Sequence, residues 1–345
     1  MRADASGARS APGEGEPDSR SGSSPLTPTL SPLGRGSAAG RMCPVDYRYD
    51  PSVFRRRPEI AADVLYVVGG LYGNLAALDA VEQLAQAEPY PVTIVFNGDF
   101  HWFDAEPAWF AEIDRRVRRH TALRGNVETE IARPDDIGAG CGCAYPESVD
   151  DGVVRRSNEI LSALRTTAAA AGARLASLPM HLVAAVGGLR IGIVHGDASA
   201  LAGWRFDVHA LDDAANHAWL RDIRMRSQVD VFASTHTCLA ALRDFDAPAG
   251  RLTVINNGAA GMPNFSGVQF GLISRIATHK SPHDPVYGTT REQVFIDALA
   301  VPYDTAAFVG RFLKRWPAGS PAHASYFRRM IDGPDHAVAS ARPSR

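Results

Sequence analysis

The stretch Val64-Leu65-Tyr66-Val67-Val68-Gly69-Gly70-Leu71-Tyr72-Gly73-Asn74 decides how the chain is read. Five apolar residues run into two glycines, the pattern of a buried strand that ends in a tight turn. Residues 74–87 follow with Leu75, Leu78, Val81, Leu84 and Ala85 at helical spacing, so the turn hands the strand to an amphipathic helix. The same grammar then repeats. A strand over 92–96 ends at Asn97-Gly98-Asp99, a helix is predicted over 105–118, and a third strand at about 120–124 ends at Gly125-Asn126. Strand alternating with helix is the order of a layered α/β domain.

Further along, residues 132–153 read as a loop rich in Gly and Pro, and 155–171 as a helix. Strands at 182–186 and 190–194 flank Gly187-Gly188, a hairpin signal. A helix is predicted over about 208–226 and a strand over 229–234. More strands are expected at 240–245, 252–256, 268–276 and 293–300, and helices at about 304–315 and 320–331 close the chain. Upstream, residues 1–41 have another character: twenty of them are Gly, Ser or Pro, without periodicity. Such a segment cannot bury enough apolar surface to offset its ordering entropy. The sequence therefore predicts a disordered extension over 1–41 and one folded domain over 42–345.

Composition excludes several classes. The chain has 345 residues, a net charge of -2 and 45% hydrophobic residues, so it lacks the basic footprint of a non-specific nucleic-acid binder. No apolar run approaches the ~18 residues of a membrane helix. Four cysteines are too few for a disulfide-built scaffold, which points to a cytoplasmic protein. Cys141-Gly142-Cys143 spaces its thiols too closely for a structural zinc site. It is read as a loop turn with two small side chains, with a disulfide or redox role as the alternative. The run Arg115-Arg116-Val117-Arg118-Arg119 has acidic neighbours and is read as a solvated helix face. The glycines at 69–73 match neither a dinucleotide fingerprint nor a lysine-bearing phosphate loop.

Chemistry gathers at the strand ends. Gly98-Asp99, Gly125-Asn126, His195 and Thr235-His236-Thr237-Cys238 each follow a predicted strand, and in α/β sheets those ends form the ligand crevice. Carboxylate, amide oxygen and two imidazoles form a donor set suited to Mn, Fe or Zn rather than Ca. Asp99, Asn126, His195 and His236 are thus candidate ligands of a divalent transition metal, which would polarise a phosphoryl oxygen and activate water. Arg124 alternates with Leu123 and faces either solvent or the crevice.

The order of these blocks resembles the calcineurin-like metallophosphoesterases. That family runs through Asp-x-His-Gly-Asn, Gly-Asp-x-x-Asp, Gly-Asn-His-Glu/Asp, a strand-end His and Gly-His-x-His. The matching stretches are Gly70-Leu71-Tyr72-Gly73-Asn74, Gly98-Asp99 with Asp104 displaced, Gly125-Asn126-Val127-Glu128, His195, and Thr235-His236-Thr237-Cys238. Val254-Ile255-Asn256-Asn257-Gly258 resembles the turn after the family's last ligand block. The resemblance implies a four-layer α/β/β/α sandwich and metal-dependent hydrolysis of a phosphate mono- or diester. It assigns Asp99 and Asn126 catalytic roles and Asp99, Asn126, His195 and His236 to one metal. A second metal would need ligands at Gly70, Tyr72 and Cys238, and only Tyr72 and Cys238 offer any donor. His101, two residues beyond Asp99, is a third candidate for a rebuilt second site, alongside Cys238 and Tyr72. Val127 replaces the family's third-block histidine. The expected partner is a small phosphorylated substrate, and the competing expectation is a degenerate member that binds a metal or phosphorylated ligand without turnover.

Overall fold

The structure, a computed structural model, describes residues 40–147 and 149–342. The expectation for residues 1–39 lies outside the described residues. Gly40 is buried, and Arg41 donates to Pro146 O (2.9 Å) and Val149 O (2.7 Å).

The described residues form β1 (Ile60–Ala61), β2 (Val64–Val68), β3 (Val92–Asn97), β4 (Thr121–Leu123), β5 (His181–Val186), β6 (Leu189–Val194), β7 (Val231–Ser234), β8 (Ala241–Phe245), β9 (Leu252–Asn256), β10 (Phe270–Ala277), β11 (Tyr287–Arg291) and β12 (Val294–Pro302). The helices are α1 (Leu75–Gln86), α2 (Pro107–Val117), α3 (Asn126–Ala132), α4 (Asp151–Ala168), α5 (Gly172–Ser177), α6 (Val208–Asp212), α7 (His217–Ser227), α8 (Thr305–Arg315), α9 (Pro321–Asp332) and α10 (Val338–Ala341). One sheet has the order β11-β12-β10-β2-β3-β4 and the other β1-β5-β6-β7-β9-β8. The neighbours β2-β3-β4 are parallel, as are β6-β7-β9.

The period-two geometry of a strand explains why Val64–Val68 is buried throughout. Leu65 and Val67 face the second sheet, where they pack with Ile191, Ile193, Val231 and Ile255. Val64, Tyr66 and Val68 face the opposite way, into a layer built from α1, α2 and α8. On the outer side of the second sheet, Val183, Val194, Phe232 and Val254 meet Val208 and Leu211 of α6 and Leu220 and Ile223 of α7. Helices, sheet, sheet, helices is the four-layer sandwich expected.

Three local differences from the expected elements have clear causes. The helix expected over 208–226 is two, because Asp213 caps a separate 3-10 turn (Ala214–Asn216) through Ala215 N at 2.9 Å. The polar edge strand β11 gives no apolar alternation to read. The short helix α3 starts at the residue after the β4 turn and has no room for a periodic signature. The hairpin at Gly187-Gly188 is present, both glycines having positive φ (53° and 87°), as a primed two-residue turn requires.

One buried charge network crosses the first sheet. Arg275 of β10 is fully buried and pairs with Glu88 (2.6 Å) and Asp297 of β12 (3.2 Å), while Tyr66 OH of β2 donates to Glu88 at 2.8 Å. Although burial pushes the Glu88 carboxyl up, hydrogen bonds from Arg275 and Tyr66 hold it below the ordinary glutamate range. Its stabilisation is therefore present above the unfolded value and lost as pH falls through the lower folded value. Arg275→Met strands two carboxylates in the interior, and the expected cost is about 3–5 kcal/mol in chemical denaturation at neutral pH.

Candidate metal centre

The ends of β3, β4, β6 and β7 meet where the two sheets face each other, and this places Asp99, Asn126, His195 and His236 together. Glycine makes the approach possible. A Cβ on Gly98 (φ 95°) would lie 2.5 Å from Gly125 N and 2.6 Å from His195 Nδ1, and one on Gly125 would strike Asp99 Oδ1. Glu128 then fixes the two turns to each other. Its fully buried carboxylate accepts from Asp99 N (2.8 Å), Gly125 N (2.9 Å) and His101 N (3.2 Å).

Three of the four candidate ligands are oriented by a hydrogen bond on the far side. His195 Nδ1 lies 2.9 Å from Asn97 O, so it carries the proton and leaves the Nε2 lone pair inward. His236 Nε2 is 3.2 Å from Cys143 O, which likewise leaves Nδ1 inward. Asn126 Nδ2 donates to Cys141 O (2.8 Å), and this turns Oδ1 inward. The inward atoms crowd one point: His195 Nε2 is 3.0 Å from Asn126 Oδ1, 3.1 Å from His236 Nδ1 and 3.4 Å from Asp99 Oδ1. Four lone pairs facing one another repel unless a cation sits among them. Ligands ~2.1 Å from one ion at tetrahedral or right angles lie ~3.0–3.4 Å apart, so the spacing fits a divalent metal. Asp99, His195 and His236 by themselves satisfy the distances of a metal-holding group.

The local electrostatics express the same demand for positive charge. Burial depresses the His195 pKa, yet the Asp99 carboxylate outweighs it and the net shift is upward. Burial and the neighbouring His195 push His236 down to about 3, so its imidazole is neutral and ready to ligate at neutral pH. Asp99 (φ 52°) and His236 (φ 24°) also hold left-handed backbone conformations that cost energy in residues with a Cβ.

The remaining expected residues divide. Tyr72 and Cys238 do meet, Tyr72 OH lying 2.8 Å from Cys238 Sγ. Burial raises both pKa values, so the pair is a neutral phenol and thiol. His101 does not join them. Its Nδ1 is 2.6 Å from Asp104 Oδ2, its ring stacks on Phe110 at 3.8 Å, and Nε2 faces Asp114. This corrects the expectation of a second site shared by His101, Cys238 and Tyr72: the Asp104 carboxylate lies within one turn of His101 and takes its ring. Arg124 faces away from the cleft, with Nη1 donating to Ala176 O.

A cavity of about 270 Å³ opens over the cluster. Asp99, Asn126 and His236 lie on its wall, with Trp102, Trp204 and Tyr326 among the aromatic residues around them. Three features are given no part in the site by the sequence reading. Cys141 and Cys143, read as a loop turn with a disulfide as the alternative, are disulfide-paired, and their carbonyls serve as the outer acceptors for Asn126 and His236. Glu128 works as the clamp between the turns. Arg329 arrives from α9, far along the chain.

The calcineurin-like phosphoesterase family model matches residues 62–257. Among solved structures, the hypothetical protein PH1004 from Pyrococcus horikoshii OT3 is 17% identical with a TM-score of 0.54, over 80% of this chain and all of that one. A metallophosphoesterase from Sphaerobacter thermophilus is 16% identical with a TM-score of 0.46, over 79% of this chain and all of that one. No curated protein matches the sequence. His236→Ala and Asn126→Ala are expected to abolish or strongly weaken uptake of one ion per chain. Tyr72→Phe and Cys238→Ala should leave the count at one, as read by elemental analysis after dialysis.

Proposed function

The chain belongs to the calcineurin-like phosphoesterase family, and we propose that it hydrolyses a phosphate ester with one divalent transition metal (Mn, Fe or Zn) held by Asp99, Asn126, His195 and His236. The observation that carries this reading is the convergence of four oriented lone pairs on one point. A metal held there supplies Lewis acidity toward a phosphoryl oxygen and makes water a nucleophile near neutral pH.

The chain's own residues prepare that chemistry. Asp99 contributes the negative charge of the donor set, and its Oδ1 also accepts from Val127 N at 3.2 Å, which fixes the carboxylate plane. Asn97, Cys141 and Cys143 lock the other three donors through their carbonyl oxygens, as outer partners do in metal sites. Aromatic walls restrict water and lower the local dielectric, which strengthens charge interactions within the cleft. Val127 presents no proton donor, so esters with acidic leaving groups are the favoured substrates. A small phosphorylated molecule suits a cavity of about 270 Å³. None of the described helices is long and apolar enough to cross a membrane.

One observation favours a second reading. Positions that in the resembling family hold a second metal carry the neutral Tyr72–Cys238 pair. A cleft with one cation can bind a phosphorylated ligand without turning it over. Hydrolysis of bis-p-nitrophenyl phosphate and p-nitrophenyl phosphate with added Mn, Fe or Zn separates the two. Metal-dependent turnover that drops about 100-fold or more in His195→Ala is expected. Full metal loading with no turnover of either ester would establish the binding reading instead.

A further inference from the structure

We propose that Arg329 is the phosphate-binding cation of this cleft, supplying on the Tyr72–Cys238 side a fixed positive charge for the substrate's phosphoryl oxygens. The inference rests on reading the cleft as a phosphoester site and adds to it the group that holds the anion.

Helix α9 brings Arg329 to the cavity wall, where Nη2 donates to Cys238 O. That is the one hydrogen bond its guanidinium makes among the described residues, and Nε is buried without a partner. No carboxylate of the described residues pairs with it, unlike several other enclosed arginines, and Arg124 and Arg190, which share that lack, do not line the cavity. Arg275 has Glu88 and Asp297, Arg243 has Asp212, and Arg133 has Glu130 and Asp46. An arginine that is partly enclosed, lacks a counter-ion and keeps donors unspent is arranged to receive an anion.

Its surroundings sharpen the point. Tyr72 OH and Cys238 Sγ lie 2.8 Å apart beside it, and neither is a carboxylate. Among the described residues no ion pair neutralises the charge on that side of the cleft. Arg329 is also the one Lys or Arg among the residues lining this cavity, and it shares the wall with Asp99, Asn126 and His236. A phosphoryl group in the cavity therefore lies between the donor cluster and a planar fork of N–H groups. Guanidinium and phosphate match bidentately, and the charge of arginine does not titrate at any working pH.

The competing role is mechanical: Arg329 would do no more than clamp the β7–β8 loop through Cys238 O. Calorimetric titration of the full chain with inorganic phosphate distinguishes the two, run with and without Mn and alongside elemental analysis of the same samples. Arg329→Ala is expected to weaken phosphate binding at least tenfold while leaving the metal count at the wild-type value. Arg329→Lys, which keeps the charge but loses the fork, should recover part of the loss, and wild-type affinity should fall as salt rises. Phosphate affinity equal to wild type in Arg329→Ala, or no phosphate binding by the wild type, overturns the proposal. A lower melting temperature with unchanged phosphate affinity assigns Arg329 to the clamp and overturns it too. A metal count of zero in every protein would instead defeat the hydrolase reading, and the metal-free titration would still decide the part played by Arg329.

Discussion

The Glu128 carboxylate is the interaction on which the cleft depends. It sits with no solvent exposure and accepts three backbone N–H groups, from Asp99, His101 and Gly125, which belong to the turns after β3 and β4. Burial and the nearby Asp99 push its pKa up, while the N–H donors oppose them. Without this acceptor three donors would be orphaned inside the protein, each costing about 1–3 kcal/mol. The turns would part, and with them Asp99 and Asn126, whose facing side chains complete the cluster.

The clamp also makes sense of where backbone strain lies. Of the seven non-glycine residues with positive φ among the described residues, Tyr72, Asp99, His236 and Cys238 belong to the cleft. Such conformations persist only where surrounding contacts over-determine them. Glu128 provides those contacts for Asp99. For the turn after β7, Asn256 donates to Thr237 Oγ1 (3.0 Å), and Arg329 donates to Cys238 O. At Asp99 and His236 the backbone leaves the extended conformation as the side chain turns to the shared point, whereas His195 reaches it without a positive φ.

Much of this was legible in the sequence because sheet-forming segments carry their own signal. The buried run Val64–Val68 and the turn at Gly98-Asp99 announced both the strands and the crevice they open into. The four converging donors were legible for the same reason: each follows a strand by one to three residues, and parallel strands bring their ends together. What the sequence hid was set by contacts distant along the chain. His101 could be placed near Asp99 by spacing alone, but its ring was decided by Asp104 and Phe110. The carbonyls of Cys141 and Cys143 are backbone atoms, which no residue pattern advertises. Arg329 lies on an amphipathic helix like any other, and its place over Cys238 emerges only when α9 packs against α4, where Arg156 Nε meets Ser325 Oγ at 2.6 Å.

Charge balance ties the clamp, the cluster and the helix together. Gly70, Tyr72 and Cys238 bring no charge to their side of the cleft, since burial keeps the phenol and thiol protonated. A second metal ion there would find only the Asp99 carboxylate, shared with the first site, and the Tyr72–Cys238 pair, which would have to give up a proton to ligate. A guanidinium carried by the chain is held in place by Cys238 O and needs no ligands of its own. It presents N–H groups where a metal would present open coordination positions, and it discriminates by planar geometry where a metal would by Lewis acidity. On the proposed reading, one ion would polarise the phosphoryl group and one arginine would hold its charge.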